Sequence, residues 1–330
     1  MTGLFDRYPR LRATLPLVSL GVSETPVERW TIDGATLLIK RDDLSAPAMG
    51  GNKVRALELL LAGVRTGGRV LTVGPTGSTH ALAVAHYTRQ LGAEAEVITW
   101  PQETNAVAIA TARRLATRAA VTPSRSTVGA YFRAAMRRRQ LAVRWVAAGG
   151  SSPRGALGHA SAALELVRQL GAEGRPMPAY IVVPLGSGGT VAGLLLGLAI
   201  AGARTRVVAV RVVPGIVGNR WHVLRLAARS GALLARLAGE AVPRLDPDRL
   251  VIAADAYGGA YGRSTGPGRA AAVALLAAGG PPLDDTYSAK AFGHALALAR
   301  GAPDDSVLFW LTFDGRWLAA GDDSIVPLPR

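Results

Sequence analysis

The amino-acid sequence predicts an α/β fold in which mainly parallel β-sheets are flanked by helices. Short segments rich in Val and Ile alternate with longer segments whose apolar residues recur at helical spacing, and glycines stand at the joints between them. Alternation of this kind produces parallel sheets, because each helix carries the chain back over a sheet face before the next strand begins.

The predicted strands are short and apolar, and helices separate almost all of them. The predicted helix that starts at Lys53 has Val54, Leu57 and Leu61 on one face. The stretch from 117 to 142 is less regular, and no element is assigned there. Strands are expected over 32–40, 69–73, 95–100, 143–147, 181–185, 207–213, 250–254 and 307–312. Helices are expected over 53–67, 78–91, 104–116, 153–170, 190–201, 220–238 with a break at Gly231, 267–278 and 288–299.

The composition of this 330-residue chain excludes several classes of protein. It is 49% hydrophobic, which is too apolar for a disordered chain, and it lacks cysteine, which excludes disulfides and cysteine-based metal sites. The first residues lack the apolar segment of a signal peptide, so we expect a cytoplasmic protein. Residues 180–203 are uncharged, but Pro184 and three glycines predict a buried strand, turn and helix rather than a membrane span.

The chain is strongly basic, with a formal net charge of +15, but its 38 basic residues include only three lysines, Lys40, Lys53 and Lys290. The densest basic run is 137–139, and no nucleic-acid-binding motif accompanies it. We therefore interpret the charge as an arginine-rich solvated surface and expect no nucleic-acid or membrane partner. The five histidines do not pair at metal-ligand spacing, so we expect no metal site.

The first of three glycine-rich joints is Gly50-Gly51-Asn52-Lys53, which opens a predicted helix. A lysine in the first helical turn lies at the positive end of the helix dipole, which lowers the pKa of its amine. An amine that loses its proton easily is what Schiff-base chemistry requires. The local pattern is equally typical of a surface lysine at a helix start.

The other two joints are candidate anion sites. Gly77-Ser78-Thr79-His80 offers hydroxyls and backbone N–H groups at a helix N-terminus, which suits a carboxylate, or else it is a plain N-cap. The loop from Gly186 to Thr190 could hold a single phosphate, or it is a tight turn without a ligand. It lacks the lysine of a P-loop, and Val191 stands where the dinucleotide-binding fingerprint requires glycine.

Together these joints resemble the 1-aminocyclopropane-1-carboxylate deaminase and D-cysteine desulfhydrase family of pyridoxal-phosphate enzymes. The resemblance implies the tryptophan synthase β-subunit fold (fold type II), with two open, twisted, mainly parallel sheets flanked by helices. It also implies a small inserted domain over 49–158, a large cofactor-binding domain formed by 1–48 and 159–330, and a homodimer. The segments that carry it are Lys40–Leu44, Gly50–Glu58, Gly149–Gly158, Gly186–Thr190, Ala260–Gly262 and Leu283–Ala291.

The resemblance implies pyridoxal 5′-phosphate as cofactor and assigns roles to thirteen residues. Lys53 would hold the cofactor covalently and act as an acid and base, and Ser78 and Tyr287 would also be catalytic. The substrate would contact Ser78, Thr79, His80, Tyr261 and Tyr287. The cofactor would contact Asn52, Lys53, Gly186, Ser187, Gly188, Gly189, Thr190 and Thr312.

Two positions favour a D-cysteine desulfhydrase-like α,β-elimination on a small amino acid, with keto acid and ammonia as products. Deaminases of the family carry Glu after the second tyrosine, where this chain has Ser288, and desulfhydrases carry a Thr in the last strand, where Thr312 aligns. The alternatives are cyclopropane deamination, another elimination, β-replacement or racemisation. Thr79, Phe313 and Asp314 depart from the family pattern, and Asp314 could compete for the pyridine nitrogen. These departures leave a cofactor-binding but catalytically degenerate protein as an alternative of another class.

Overall fold

The computed structural model describes residues 2–103, 105–260 and 262–316, which form helices and strands in near-regular alternation. The helices are α1 Thr2–Arg7, α2 Leu11–Thr14, α3 Asn52–Leu60, α4 Thr79–Gln90, α5 Ala106–Ala116, α6 Thr127–Gln140, α7 Pro153–Ala172, α8 Gly189–Ile200, α9 Arg220–Ala238, α10 Gly266–Ala277 and α11 Ser288–Ala299. The strands are β1 Val27–Ile32, β2 Ala35–Arg41, β3 Arg69–Pro75, β4 Glu94–Trp100, β5 Ala120–Pro123, β6 Arg144–Val146, β7 Tyr180–Leu185, β8 Arg206–Arg211, β9 Leu250–Ala253 and β10 Val307–Leu311.

The strands form two sheets, as predicted. The large sheet has the order β1-β2-β10-β7-β8-β9, and the small sheet has the order β5-β4-β3-β6. Every pairing is parallel except that of β1 with β2. The strands of the small sheet all come from residues 69–146, while the division of the chain into domains at 49 and 158 stays a prediction.

Helices bury both faces of the large sheet, which is why its strands are almost wholly apolar. On β7, Ile181 and Val183 pack with α7 and α8, whereas Val182 between them packs on the opposite face with α11. Side chains alternate between the faces of a strand, so a strand covered on both sides reads as a continuous apolar run. The uncharged stretch 180–203 therefore forms the predicted strand, turn and helix. None of the helices in the described ranges has the length and apolar composition needed to cross a membrane.

Three sequence-based assignments are wrong or incomplete. The segment predicted as one strand over 32–40 corresponds to β2 alone, and β1 was missed. Asp33 and Gly34 take positive φ angles of 49° and 78° and reverse the chain between the two strands. The helix predicted from 53 to 67 ends at Leu60. Helix α9 continues through Gly231 without the expected break.

The stretch without predicted elements contains β5 and α6, and α1 and α2 at the start of the chain were also missed. Helix α6 begins at a proper N-cap, where Oγ of Ser126 accepts a hydrogen bond from the Gly129 N–H at 3.1 Å. Its face toward the protein buries only Ala130 and Ala134, so it lacks the apolar periodicity that reveals most helices. The basic run 137–139 forms the exposed last turn of this helix, as expected of a solvated surface.

Candidate active site

A cavity of about 560 Å³ opens where the carboxyl ends of strands from both sheets meet. Its lining includes Pro75 and Trp100 at the ends of β3 and β4, the loop after β7, and Thr312 after β10. Ligands of parallel α/β sheets bind at the carboxyl ends of strands. All the predicted site residues in the described ranges line this one cavity, and Tyr261 lies outside those ranges.

The backbone turn before α3 presents Lys53 to the cavity. Gly51 has a φ of 96°, and a Cβ built there would lie 2.9 Å from the carbonyl oxygen of Thr312, so the position requires glycine. The N–H of Asn52 donates to that same carbonyl at 3.0 Å. Ser45 holds the turn from the other side through a hydrogen bond from its Oγ to the carbonyl of Gly51 at 2.9 Å.

Lys53 is distinguished from the other two lysines by its surroundings. Burial lowers the pKa of its amine to about 8, which is the predicted direction, although the cause is desolvation and not the helix dipole. No carboxylate in the described ranges pairs with it. Lys40 forms an ion pair with Glu165, and Nζ of Lys290 donates to the carbonyl of Tyr257 at 2.8 Å. Burial also lowers the pKa of Lys40 and of Lys290, but of the three lysines only Lys53 lines the cavity.

The candidate carboxylate site lies at the start of α4. Ser78 is the N-cap, and its Oγ accepts a hydrogen bond from the Ala81 N–H at 3.2 Å. Thr79 and His80 follow in the first turn and also line the cavity. Burial, together with the charge of Lys53, lowers the pKa of His80 to about 3, so its ring is neutral at neutral pH. The joint is therefore both a helix cap and a wall of the cavity.

The glycine loop before α8 is held against the segment that leads into α7. Oγ of Ser151 donates to Oγ of Ser187 at 2.7 Å and accepts from the N–H of Gly189 at 3.0 Å. A Cβ on Gly149 would lie 1.9 Å from Oγ of Ser187, so only glycine permits this approach. Ser151 was not among the predicted site residues. Its signal was the Gly-Gly-Ser-Ser-Pro segment, to which the resemblance assigned no role.

Tyr287 lies beside the glycine loop, with its Cε1 3.5 Å from a Cβ built on Gly186. Asp284 positions it, because this buried carboxylate accepts hydrogen bonds from the backbone N–H groups of Thr286, Tyr287 and Ser288 at 3.1, 2.7 and 3.0 Å. Burial raises the pKa of the Tyr287 phenol, which therefore keeps its proton at neutral pH. Asp284 is a second positioning residue that the prediction omitted.

The residues after β10 explain two departures from the family pattern. Phe313 is buried in the core that supports α3 and α4. Asp314 accepts hydrogen bonds on both oxygens, from the N–H of Gly50 at 2.9 Å and from Nε and Nη2 of Arg316 at 2.8 and 2.7 Å. Its carboxylate is therefore held by the protein, and Thr312 is left as the hydroxyl neighbour at this end of the cavity.

A buried ionic network underlies the site. Arg55, on α3 close to Lys53, pairs with Asp42 at 2.7 Å and with Glu165 of α7 at 2.9 Å. Nζ of Lys40 donates to Glu165 and Gln169, each at 2.6 Å. The network joins the helix that carries Lys53 to the large sheet.

The residues of the cavity fit pyridoxal phosphate. The amine of Lys53, which is partly neutral, lines one side and could bond to the cofactor aldehyde. The loop from Gly186 to Thr190 offers hydroxyls and backbone N–H groups at a helix N-terminus, which suits the phosphate. Thr312 offers a hydroxyl to the pyridine ring. Gly149 leaves no room for a side chain beside that loop, because Ser187 fills the space, so the glycine allows the two segments to pack closely.

Comparison with known proteins gives a consistent result. The model of the family described as pyridoxal-phosphate dependent enzyme matches residues 18–312. The chain is 34% identical to the nocardicin C-9′ epimerase of Nocardia uniformis subsp. tsuyamanensis over 311 residues, which is 87% of this chain and 90% of that protein. It is 30% identical to the D-cysteine desulfhydrase of Serratia proteamaculans (90% and 93% covered). The crystal structure of an ACC deaminase homologue superposes with a TM-score of 0.75 at 26% identity, covering 97% of this chain and 99% of that one.

Proposed function

Because this chain belongs to the family of pyridoxal-phosphate-dependent enzymes that includes 1-aminocyclopropane-1-carboxylate deaminase and D-cysteine desulfhydrase, we propose that it catalyses an α,β-elimination on an α-amino acid. The predicted family, fold and cofactor are confirmed. With D-cysteine the reaction consumes water and releases hydrogen sulfide, pyruvate and ammonia. The bound cofactor supplies an electron sink that weakens the bond between Cα and its hydrogen.

The chain's own residues supply binding and proton transfer. Ser78 and the free N–H groups at the start of α4 bind the substrate carboxylate, and the positive end of the helix dipole adds to that attraction. Nζ of Lys53 removes the proton from Cα. Because its pKa is lowered to about 8, part of the amine is neutral at neutral pH and can act as a base. The pKa of His80 is lowered to about 3, so its ring is a weak base and does not compete with Lys53 for this proton.

One observation supports elimination over ring opening. Among the described residues that line the cavity, Asp314 is the one with an acidic side chain. Its oxygens accept hydrogen bonds from Gly50 and Arg316. Ser288, which replaces the glutamate of the deaminases, is buried in the first turn of α11. A thiol has a pKa of about 8.5 and leaves as a thiolate without an acid, whereas opening a cyclopropane requires a proton delivered to carbon. A cavity without a free carboxylic acid in the described ranges suits the first reaction.

Epimerisation is the second candidate, because Tyr287 keeps its proton and lines the same cavity as Lys53. A proton removed by Lys53 and returned from a second group inverts Cα without loss of a substituent. The relative at 34% identity is an epimerase, which also supports this alternative.

The test uses purified protein loaded with pyridoxal phosphate. D-cysteine, L-cysteine and 1-aminocyclopropane-1-carboxylate are supplied in turn, and keto acid, ammonia and sulfide are measured. We expect equal amounts of the three products from D-cysteine and none with Lys53→Ala. Exchange of the α-hydrogen in D₂O with inversion, and without keto acid, would establish epimerisation instead. A cofactor that binds but that no substrate changes would support the cofactor-binding, catalytically degenerate alternative. Failure to bind the cofactor would contradict the proposed enzyme. The homodimer and the cytoplasmic location remain predictions.

A further inference from the structure

The cavity must hold the cofactor as well as the substrate, and its lining includes apolar and aromatic side chains away from the cofactor residues. Its volume of about 560 Å³ is in the range of roughly 300–1,000 Å³ that is typical of pockets for drug-sized ligands. The charged side chains among its described lining residues, Lys53 and Asp314, lie at the inner end, where α3 begins and β10 ends. The groups that would recognise a substrate side chain are therefore at the mouth.

One side of the mouth is an aromatic ledge formed by Trp100 and Tyr131, with Trp145 behind them. The rings of Trp100 and Tyr131 stack with centroids 6.2 Å apart and planes 29° apart. Trp145 meets Tyr131 edge-on at 6.5 Å. Trp100 and Tyr131 both line the cavity, and Tyr131 is 43% exposed. The ledge presents partly solvated aromatic surface to the cavity, which favours an apolar or aromatic group.

The ledge lies next to the candidate carboxylate site. Trp100 is the register partner of Pro75 on the adjacent parallel strand, and strands are about 4.8 Å apart. The N–H of Ser78 donates to the carbonyl of Pro75 at 3.0 Å, and the N–H of Thr76 donates to the carbonyl of Trp100 at 2.8 Å. A substrate whose carboxylate binds at Ser78 therefore has its side chain within reach of the Trp100 ring.

The other side of the mouth is also apolar. Val213, Pro214 and Val217 line it, and Val217 is 45% exposed. The carbonyl of Pro214 accepts the N–H groups of Val217 and Gly218 at 2.9 and 3.0 Å, which fixes this segment as a turn. A group that entered between this turn and the ledge would bury apolar surface on two sides.

Building on the elimination proposed above, we infer that the substrate carries a bulky apolar, preferably aromatic, substituent on its β-carbon, which lies against Trp100 and Tyr131. An S-benzyl cysteine represents the class. The bond between Cβ and sulfur breaks, sulfur takes the electron pair and a proton, and one water enters. The products are benzyl mercaptan, pyruvate and ammonia.

The test compares D-cysteine and S-benzyl-D-cysteine with the holoenzyme, each also as its L-enantiomer. We expect kcat/KM for the benzyl compound to exceed that for cysteine by roughly tenfold or more. Trp100→Ala and Tyr131→Ala should each lower kcat/KM for the benzyl compound by roughly three- to tenfold and change that for cysteine by less than about twofold. Phe132→Ala is the matched control, since Phe132 neighbours Tyr131 on α6, is 68% exposed and lies outside the cavity lining.

Binding, read from the change in the visible absorbance of the bound cofactor, separates this inference from the proposed reaction. If the benzyl compound binds more tightly than cysteine, and Trp100→Ala removes the difference, the ledge recognises the substituent. If in that case no keto acid is released, the proposed elimination is wrong and the inference about the ledge is still supported. If cysteine binds and reacts as well as the benzyl compound, or if both ledge variants weaken the two compounds equally, the inference is overturned.

Discussion

The side-chain amide of Asn52 donates a hydrogen bond to Oγ1 of Thr190 at 2.6 Å, in a buried position. Asn52 precedes Lys53 at the start of α3, and Thr190 lies in the first turn of α8 behind the glycine loop. This one bond joins the element that presents the reactive amine to the element that we propose holds the phosphate, although the two residues are 138 positions apart.

Asn52→Ala should therefore impair both elements at once. The buried Thr190 hydroxyl loses its partner, which lowers the free energy of unfolding by about 1–3 kcal/mol, and cofactor uptake should slow because Lys53 is no longer fixed relative to the loop. Urea unfolding and the rate of cofactor uptake measure the two effects. The matched control is a double-mutant cycle with Thr190→Val. Strictly additive losses would show that the two side chains do not act together.

The pH dependence of cofactor uptake by the cofactor-free protein should report on Lys53. Its pKa is lowered from the usual 10.5 to about 8, so the neutral amine that reacts with an aldehyde becomes the major form as the pH rises above about 8. Stopped-flow absorbance should show a rate that increases with pH and levels off above that value. Lys53→Ala should form no adduct that borohydride fixes, while Lys290→Ala should still form it. An inflection near 10.5 would contradict the assignment.

Two adjacent serines should separate cofactor binding from stability. Ser151→Ala removes the hydrogen bonds to Ser187 and Gly189, so we expect the cofactor dissociation constant to rise roughly three- to tenfold. Ser152→Ala removes the N-cap of α7, whose Oγ accepts from the Gly155 N–H, and should cost about 1 kcal/mol of stability with little change in affinity. Equilibrium dialysis and urea unfolding of both variants provide the comparison. The same loss of affinity in both would mean that Ser151 has no specific role at the loop.

Glu165→Gln should destabilise the protein in a pH-dependent manner. Burial favours the neutral form of Glu165, but Arg55 and Lys40 outweigh it and lower its pKa from 4.5 to about 2. Because the folded-state pKa is depressed, the stabilisation is complete above about pH 4.5 and is lost as the pH falls toward 2. At pH 7 the variant leaves two buried cations poorly compensated, at a cost of about 3–5 kcal/mol.

Urea unfolding at pH 7 and pH 3 tests this, and we expect the difference between wild type and Glu165→Gln to shrink at the lower pH. Glu240→Gln is the control, since Glu240 belongs to an exposed pair with Arg7 at 3.8 Å, and such pairs contribute less than about 1 kcal/mol. A difference that stays constant with pH would exclude the network as its source.

The parts of the site that could be predicted are those with local signals. The turn before Lys53, the cap at Ser78 and the loop from Gly186 to Thr190 each combine glycines with the start of a helix, and both features are visible in a few consecutive residues. The parallel sheets could also be predicted from a local signal, because strands covered on both faces are apolar throughout.

What could not be predicted depends on residues that are distant in sequence or on elements that bury little. Ser151 acts on a loop that lies 36 positions later, and Asp314 accepts a hydrogen bond from the N–H of Gly50, 264 positions earlier. The aromatic ledge could not be predicted without α6, which carries Tyr131. The buried face of α6 consists of small alanines, so its sequence shows no helical apolar periodicity. The turn at Asp33-Gly34 had a recognisable sequence, but the apolar residues on both sides of it suggested one continuous strand.

The different surroundings of the three lysines make the protein a selective target for amine-directed chemistry. Lys40 and Lys290 are at most 2% exposed, and their amines donate to protein oxygens, so acylating reagents have no access to them. Lys53 faces the cavity with a pKa of about 8. All basic side chains except the three lysines are arginines, so a mild acylating probe at pH 8 should modify Lys53 alone among the lysines, and a ligand in the cavity should protect it. Because an α-amino group has a similar pKa, the mass of the peptide that carries Lys53 is the readout. It would allow the occupancy of the site to be followed with any candidate substrate and no assay for its product.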